Sequence, residues 1–215
     1  MINFDLARKE MIENQIRNRG ILDAGIIEAF DTVPRHLFVP DDNIEHSYDD
    51  SALPTGYDQT ISQPYIVALM TQLLHPMQND VILEIGTGSG YQAAILSRLC
   101  KHVISVEKIS ELVTYARSNL AKLDIKNTQI YMADGTLGWK ANAPYDGIIV
   151  TAGAKEVPVA LISQLKSGGK MIIPLESGNH HKLTVIRKEE NDYIKEEIID
   201  CIFVPLIGRG YNGET

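Results

Sequence analysis

The hydrophobic positions of this chain change period near Asp80. Before it, Leu6, Met11, Ile12 and Ile16 recur at roughly helical spacing and predict one buried helix face. A second short helix is predicted over 24–32, opened by Asp23 as a side-chain cap and stopped by Pro34. Residues 40–63 are rich in Pro, Asp, Ser and Gly and read as a long loop, about as long as compact domains tolerate without a functional reason. A helix over 64–74 comes next, with Ser62 placed to cap it.

After Asp80 the pattern becomes strand, turn, helix, repeated. Strands are predicted over 81–85, 103–106, 128–132, 147–150 and 170–174. Helices are predicted over 91–99, over 110–123 with Ser110 as cap, and over 157–165 with Gly168-Gly169 as stop. Short continuous apolar strands alternating with helices imply a mostly parallel sheet covered on both faces. Residues 182–187 and 193–206 alternate as a hairpin that closes the sheet antiparallel, with His180-His181 in its turn. The expected fold is therefore α/β, a doubly wound, Rossmann-like sheet with an N-terminal helical cap and a C-terminal antiparallel hairpin. One domain over 1–215 is expected, divided into a helical and loop segment (1–76) and an α/β core (77–215); residues 208–215 read as a frayed tail.

Composition narrows the function classes. With 44% hydrophobic and 22% charged residues, the 215-residue chain has the balance of a folded globular protein. A net charge of −8, with Lys and Arg scattered among acids, argues against a nucleic-acid partner. No apolar run is long enough for a membrane span. Charge within the first five residues argues against a signal peptide, and two distant cysteines fit a reduced compartment, so a cytoplasmic location is expected. The six histidines form no ligand pattern, and no metal site is expected.

The strongest local signal is Glu84-Ile85-Gly86-Thr87-Gly88-Ser89-Gly90-Tyr91, between a strand and a helix. Glycines there let the backbone turn sharply and approach a ligand, with helix N–H groups facing it. The window from Gly88 to Ala93 also fits a dinucleotide fingerprint, and a bare strand-to-helix turn is the plainest alternative. Two acids sharpen the reading. Glu107 ends the next strand, where a carboxylate accepts from ribose hydroxyls, and Asp134, before Gly135, ends the one after, where a carboxylate can receive an adenine amine. These motifs, with the later Leu165-Lys166-Ser167-Gly168-Gly169, resemble the class I methyltransferases. The resemblance implies S-adenosyl-L-methionine as cofactor, bound by Glu84, Gly86, Thr87, Gly88, Gly90, Glu107, Asp134 and Gly135.

The segment after the fourth strand constrains the acceptor. Thr151-Ala152-Gly153-Ala154 stands where amide- and base-nitrogen methyltransferases of this superfamily carry Asn/Asp-Pro-Pro-Tyr. Hydroxyl acceptors need a base or a metal to take the proton. A carboxylate, ionised near neutral pH, needs neither.

Upstream, Met11-Ile12-Glu13-Asn14-Gln15-Ile16-Arg17, Val33-Pro34-Arg35-His36-Leu37-Phe38-Val39-Pro40, Leu53-Pro54-Thr55-Gly56 and Gln59-Thr60-Ile61-Ser62-Gln63-Pro64-Tyr65 occur in order, with Phe203-Val204-Pro205-Leu206 near the end. The series resembles bacterial-type protein-L-isoaspartate O-methyltransferases over nearly the whole chain. That resemblance implies methylation of the misplaced α-carboxylate of isoaspartyl residues in damaged proteins and peptides, a repair reaction, by an enzyme expected to be monomeric. It implies Ser62 at the active site, and Gln59, Thr60, Ile61, Val204, Pro205 and Leu206 as substrate contacts. From spacing alone Ser62 caps the following helix; from the resemblance it steers the acceptor. One departure is Asp58, where the family commonly has glycine. Two other readings stay open: a methyltransferase for a small-molecule carboxylate or hydroxyl, and a module that binds S-adenosylmethionine or a dinucleotide without chemistry.

Overall fold

The computed structural model describes residues 2–190 and 192–211. Helix α1 (Phe4–Met11) is opened by Asn3, whose Oδ1 accepts the Leu6 N–H at 3.1 Å. It widens into a π turn (Ile12–Ile16) and a 3-10 turn (Arg17–Arg19) that Gly20 ends at φ 89°. Met11, Ile12 and Ile16 are buried, but Leu6 is 53% exposed. Five positions separate Leu6 from Met11, about 140° around an α-helix, so the two do not share a face. Helix α2 (Ala24–Thr32) is capped as expected, with Asp23 Oδ1 accepting from Ile26 N at 3.0 Å.

Residues 40–63 are more ordered than a loop. They hold a 3-10 turn (Asp41–His46) and a hairpin of β1 (Leu53–Gly56) and β2 (Gln59–Ile61). Its two-residue turn is Tyr57-Asp58, both at φ 56°. Helix α3 (Pro64–Leu74) begins at Pro64 with Gln63 as the N-cap residue, and no side chain bonds its first turn. Ser62 therefore does not cap it; the residue lies one position too early.

The core comprises β3 (Val81–Ile85), α4 (Tyr91–Ser97), β4 (His102–Glu107), α5 (Ser110–Lys122), β5 (Thr128–Met132), β6 (Tyr145–Val150), α6 (Val159–Gln164), β7 (Leu165–Ser177), β8 (His180–Lys188) and β9 (Tyr193–Cys201). Its strands form one sheet of order β5-β4-β3-β6-β7-β8-β9, parallel through β7 and antiparallel beyond. Alternate strand residues enter two cores. Ile82, Val103, Ile149 and Ile172 pack toward the N-terminal helices, and Leu83, Ile104, Ile148 and Met171 toward Leu161 of α6. Burial on both faces is why these strands read as unbroken apolar runs.

Three local expectations need correction. Ser110 is not the cap of α5: Ile109 holds that position, and the Ser110 hydroxyl donates to Glu111 at 2.7 Å. Gly168-Gly169 do not stop α6, which ends at Gln164; they lie in β7, where pairing with β6 slips from Tyr145↔Leu165 to Gly147↔Lys170. His180 and His181 lie in β8 opposite Ser177 and Glu176, not in the turn, and β9 ends at Cys201 rather than continuing to Leu206. The chain order reverses at β3, which has β4 on one side and β6 on the other. A doubly wound sheet opens its ligand crevice at such a point, beyond the strand carboxyl ends.

Candidate active site

The glycine loop crosses the end of β3. Gly86, Gly88 and Gly90 have φ of 92°, 53° and 88°. A Cβ on Gly86 would overlap Thr151 Oγ1, which donates to the Gly86 carbonyl at 2.5 Å. A Cβ on Gly88 would meet no atom within 4 Å and would stand in open space beside the loop. The loop therefore needs glycine for close packing behind it and for access in front.

Glu107, the last residue of β4, fastens this loop. Its Oε2 accepts from Gly88 N at 2.9 Å, while Oε1 accepts from Lys108 N at 2.8 Å and Ile109 N at 3.0 Å. Glu107 also lines a cleft of about 380 Å³ with Gly86, Thr87, Gly88 and Gly135. The opposite wall is built from Gln59, Thr60, Ile61 and Ser62 of the β1–β2 segment and from Val204, Pro205 and Leu206. Twelve of the fifteen residues expected at the site thus meet around one cavity.

Glu84, Gly90 and Asp134 do not line it. Gly90 ends the loop behind the cleft, where a Cβ would stand 3.2 Å from Ala116 Cβ of α5. Glu84 lies one pleat step inside β3, fully buried, where it accepts from the Ser105 hydroxyl. Ser105 Oγ in turn lies 2.6 Å from Thr87 Oγ1, so the carboxyl braces the loop from beneath. Burial pushes the Glu84 carboxyl up to about 8; the Ser105 bond works against this, and the nearby Glu107 charge adds to it. The Asp134 carboxylate turns away from the cleft. It caps the 3-10 turn Gly135–Leu137 through Thr136 N (3.0 Å) and Thr136 Oγ1 (2.6 Å), and accepts from Arg209 N at 2.7 Å. Partial burial raises its pKa, but these bonds outweigh that and hold it below the usual carboxylate range. The tail expected to fray is therefore tied down through Arg209 and through Gly210 N, which donates to Thr136 Oγ1 at 2.9 Å. Residues 212–215 of that tail lie outside the described residues.

A second cavity of about 330 Å³ adjoins the first and shares Thr60, Ser62, Thr151 and Val204 with it. Its far wall carries Asp50, Ile66, Ile202 and Phe203. The N-terminal segment sets this wall: Gln15 Nε2 donates to Tyr48 O at 2.7 Å, Arg19 pairs with Asp50 at 3.3 Å, and Gln63 Nε2 donates to Asp50 Oδ1 at 2.8 Å. On the other side, Gly153 N donates to Val204 O (2.8 Å) and Leu206 N to Gly153 O (2.7 Å), which joins the chain beyond β6 to the chain beyond β9. Thr151, Ile109 and Gln92 also line the first cavity and went unrecognised in the sequence. Ile109 alone had a usable signal, two positions past the strand-end acid. Among the described residues, no group of three His, Cys, Asp or Glu side chains is arranged to hold a metal ion.

Two open cavities meeting at one serine, one of them floored by a glycine loop, make a site for two reactants. The comparisons agree with that geometry. The family model described as Protein-L-isoaspartate(D-aspartate) O-methyltransferase (PCMT) matches residues 6–211. The chain is 50% identical over 216 residues, the full length of both, to Protein-L-isoaspartate O-methyltransferase 2 of Geotalea uraniireducens. It is 50% identical over 210 residues, 97% of each chain, to Protein-L-isoaspartate O-methyltransferase of Trichlorobacter lovleyi. A solved protein-L-isoaspartate O-methyltransferase superposes with TM-score 0.86 at 29% identity, covering 94% of this chain and 66% of that one. A PCMT structure from Plasmodium falciparum in complex with S-adenosyl-L-homocysteine has the same fold, with TM-score 0.80 at 24% identity over 96% and 99% of the two chains. With the glycine loop, the Gln59–Ser62 wall and the Val204–Leu206 wall in one place, and relatives matched along the full length, this chain belongs to the protein-L-isoaspartate(D-aspartate) O-methyltransferase family.

Proposed function

We propose that this enzyme transfers the methyl group of S-adenosyl-L-methionine to the α-carboxylate of L-isoaspartyl residues in proteins and peptides. The observation that carries the reading is the junction of the two cavities at Thr60, Ser62, Thr151 and Val204, in a chain half identical to isoaspartate methyltransferases from end to end. The larger cavity suits the cofactor. Gly88 leaves room against the loop, and the Glu107 carboxylate, besides holding the Gly88, Lys108 and Ile109 N–H groups, keeps one Oε2 lone pair for a ribose hydroxyl. Gly86, Thr87 and Gly135 complete that half, with Glu84, Gly90 and Asp134 acting through the groups they brace.

Bound there, S-adenosylmethionine supplies an electrophilic methyl carbon on a sulfonium. An acceptor carboxylate, ionised beforehand, would take that methyl group as an ester with the thioether as leaving group, so no residue here would have to accept a proton. The protein's task is then placement. The Ser62 hydroxyl donates one hydrogen bond to the acceptor, while Gln59, Thr60, Ile61 and Val204 to Leu206 hold the peptide around it. The partners are isoaspartyl proteins and peptides rather than nucleic acid, and the enzyme acts as a monomer. Among the described residues no helix is long and apolar enough to cross a membrane. Two unpaired cysteines, Cys100 and Cys201, accord with action in the cytoplasm.

The test is methyl transfer to an isoaspartyl peptide beside its normal aspartyl twin. Transfer to the first and not the second is expected. Equal transfer to both would overturn the selectivity for isoaspartyl residues, and transfer only to free small carboxylates or hydroxyls would establish the small-molecule reading instead.

A further inference from the structure

Beyond Cys201 the chain leaves β9, and Phe203 to Leu206 keep, among the described residues, only one isolated parallel bridge, Pro205 opposite Gly153. Two of the segment's bonds go to Gly153, through Val204 O and Leu206 N. The third is made by a side chain: Phe203 N donates to His181 Nδ1 at 3.3 Å. The same imidazole lies over Gly153, where a Cβ would overlap the ring. His181 therefore touches both strips of chain whose mutual bonds set this wall, without lining either cavity itself.

We propose that His181 is a positioning residue for the acceptor: its neutral ring, accepting the Phe203 N–H, fixes Phe203 to Leu206 against the cleft, and uptake of a second ring proton releases them. The proposal rests on the functional reading above and adds its control. An imidazole that accepts at Nδ1 carries its proton on Nε2; doubly protonated, it offers only donors and meets the Phe203 N–H donor to donor. The groups around it are few. β7 presents Glu176 and β9 presents Cys201 at the paired positions on the same face. The loop that carries Gly153 also carries Lys155 and Glu156. His180 and Lys182 project from the other face, where both pair with Asp200. Protonation of His181 should thus weaken peptide binding and loosen the Val204–Leu206 side shared by both cavities, while the glycine-loop side of the cofactor cavity, fastened by Glu107 on β4, stays in place.

The experiment compares wild type, His181→Gln, His181→Ala and His180→Gln between about pH 5.5 and 8, the range in which imidazoles titrate. KM for an isoaspartyl peptide and Kd for S-adenosylhomocysteine are measured on each. In the wild type, KM should rise about fivefold on acidification, the size of one neutral hydrogen bond. The kcat at saturating peptide should stay within about twofold, because the acceptor is already ionised, and Kd, which draws on Val204 to Leu206 for one wall only, should rise less than KM. Gln keeps an acceptor and cannot titrate, so His181→Gln should flatten the KM profile at the wild-type value for pH 8. His181→Ala should raise KM at every pH, and His180→Gln should leave the profile as it was. An unchanged acid rise in His181→Gln, or its loss in His180→Gln, would overturn the proposal. If the wild type does not methylate the peptide, the functional reading falls, and amide exchange at Phe203 still decides this one. Protection lost on acidification in wild type but kept in His181→Gln supports it; equal behaviour in both defeats it.

Discussion

At the residue scale, Ser62 and Glu84 exchange the parts their positions suggest. Ser62 stands where a helix cap belongs, yet Gln63 holds that place and the serine is left at the junction of the two cavities. Ser62→Ala should therefore lower kcat/KM for an isoaspartyl peptide by roughly tenfold through lost orientation. It should leave both the melting temperature and S-adenosylhomocysteine affinity as they were, which calorimetry on the one variant checks. Glu84 heads the glycine motif, yet it is a buried brace with its carboxyl pushed up to about 8. A folded-state pKa above the unfolded value means that the native state keeps a proton the unfolded chain releases. That contribution to stability is whole below the reference value of 4.5 and is lost as pH rises to about 8. Glu84→Gln has no proton to lose. Its stability should depend less on pH across that window and exceed wild type at pH 8 by roughly 1–3 kcal/mol, as read from denaturant melts.

At the scale of elements, two short connections carry the site. The first is the β1–β2 turn, where Tyr57 and Asp58 both take the left-handed conformation that such two-residue turns require. The glycine common at Asp58 in the family resemblance now has a physical reason, and Asp accepts the conformation at some cost. Asp58→Gly should raise stability by about 1 kcal/mol in thermal unfolding. By removing a charge beside the Gln59–Ser62 wall, it should also lower KM for acidic peptides more than for neutral ones. The second connection is the carboxyl end of β4. Glu107→Ala removes the acceptor for Gly88, Lys108 and Ile109 N–H groups together with the expected ribose contact. Calorimetry should show S-adenosylhomocysteine affinity weakened by on the order of 1–3 kcal/mol.

At the scale of the whole molecule, the sheet ends on β9, whose outer residues Lys195, Glu196 and Glu197 are exposed. Charges of both signs on an edge strand discourage pairing with a second chain. Sedimentation at micromolar concentration should give one monomeric species, and Lys195→Val combined with Glu197→Val should promote self-association. The sequence by itself determined the layering of this molecule, because apolar runs of strand length alternating with helical periods have one economical packing, helices over both faces of a parallel sheet. It also determined the glycine loop, the Asp23 cap and most of the residues that meet around the cleft, since these depend on neighbours a few positions away or on motifs kept in order along the chain. Tertiary structure alone decided which of three acids lines the cleft. Glu84 and Glu107 point the same way from paired strands, but only Glu107 stands at a strand end, and Asp134 is claimed by Arg209 from the far end of the chain. It decided, too, that residues 53–61 form a hairpin and that His181 lies in β8 and accepts the Phe203 N–H rather than occupying a turn. These outcomes rest on contacts between segments remote in sequence. The direction of a side chain there is fixed by strand register and by which distant backbone arrives beside it, neither of which leaves a local periodicity to read.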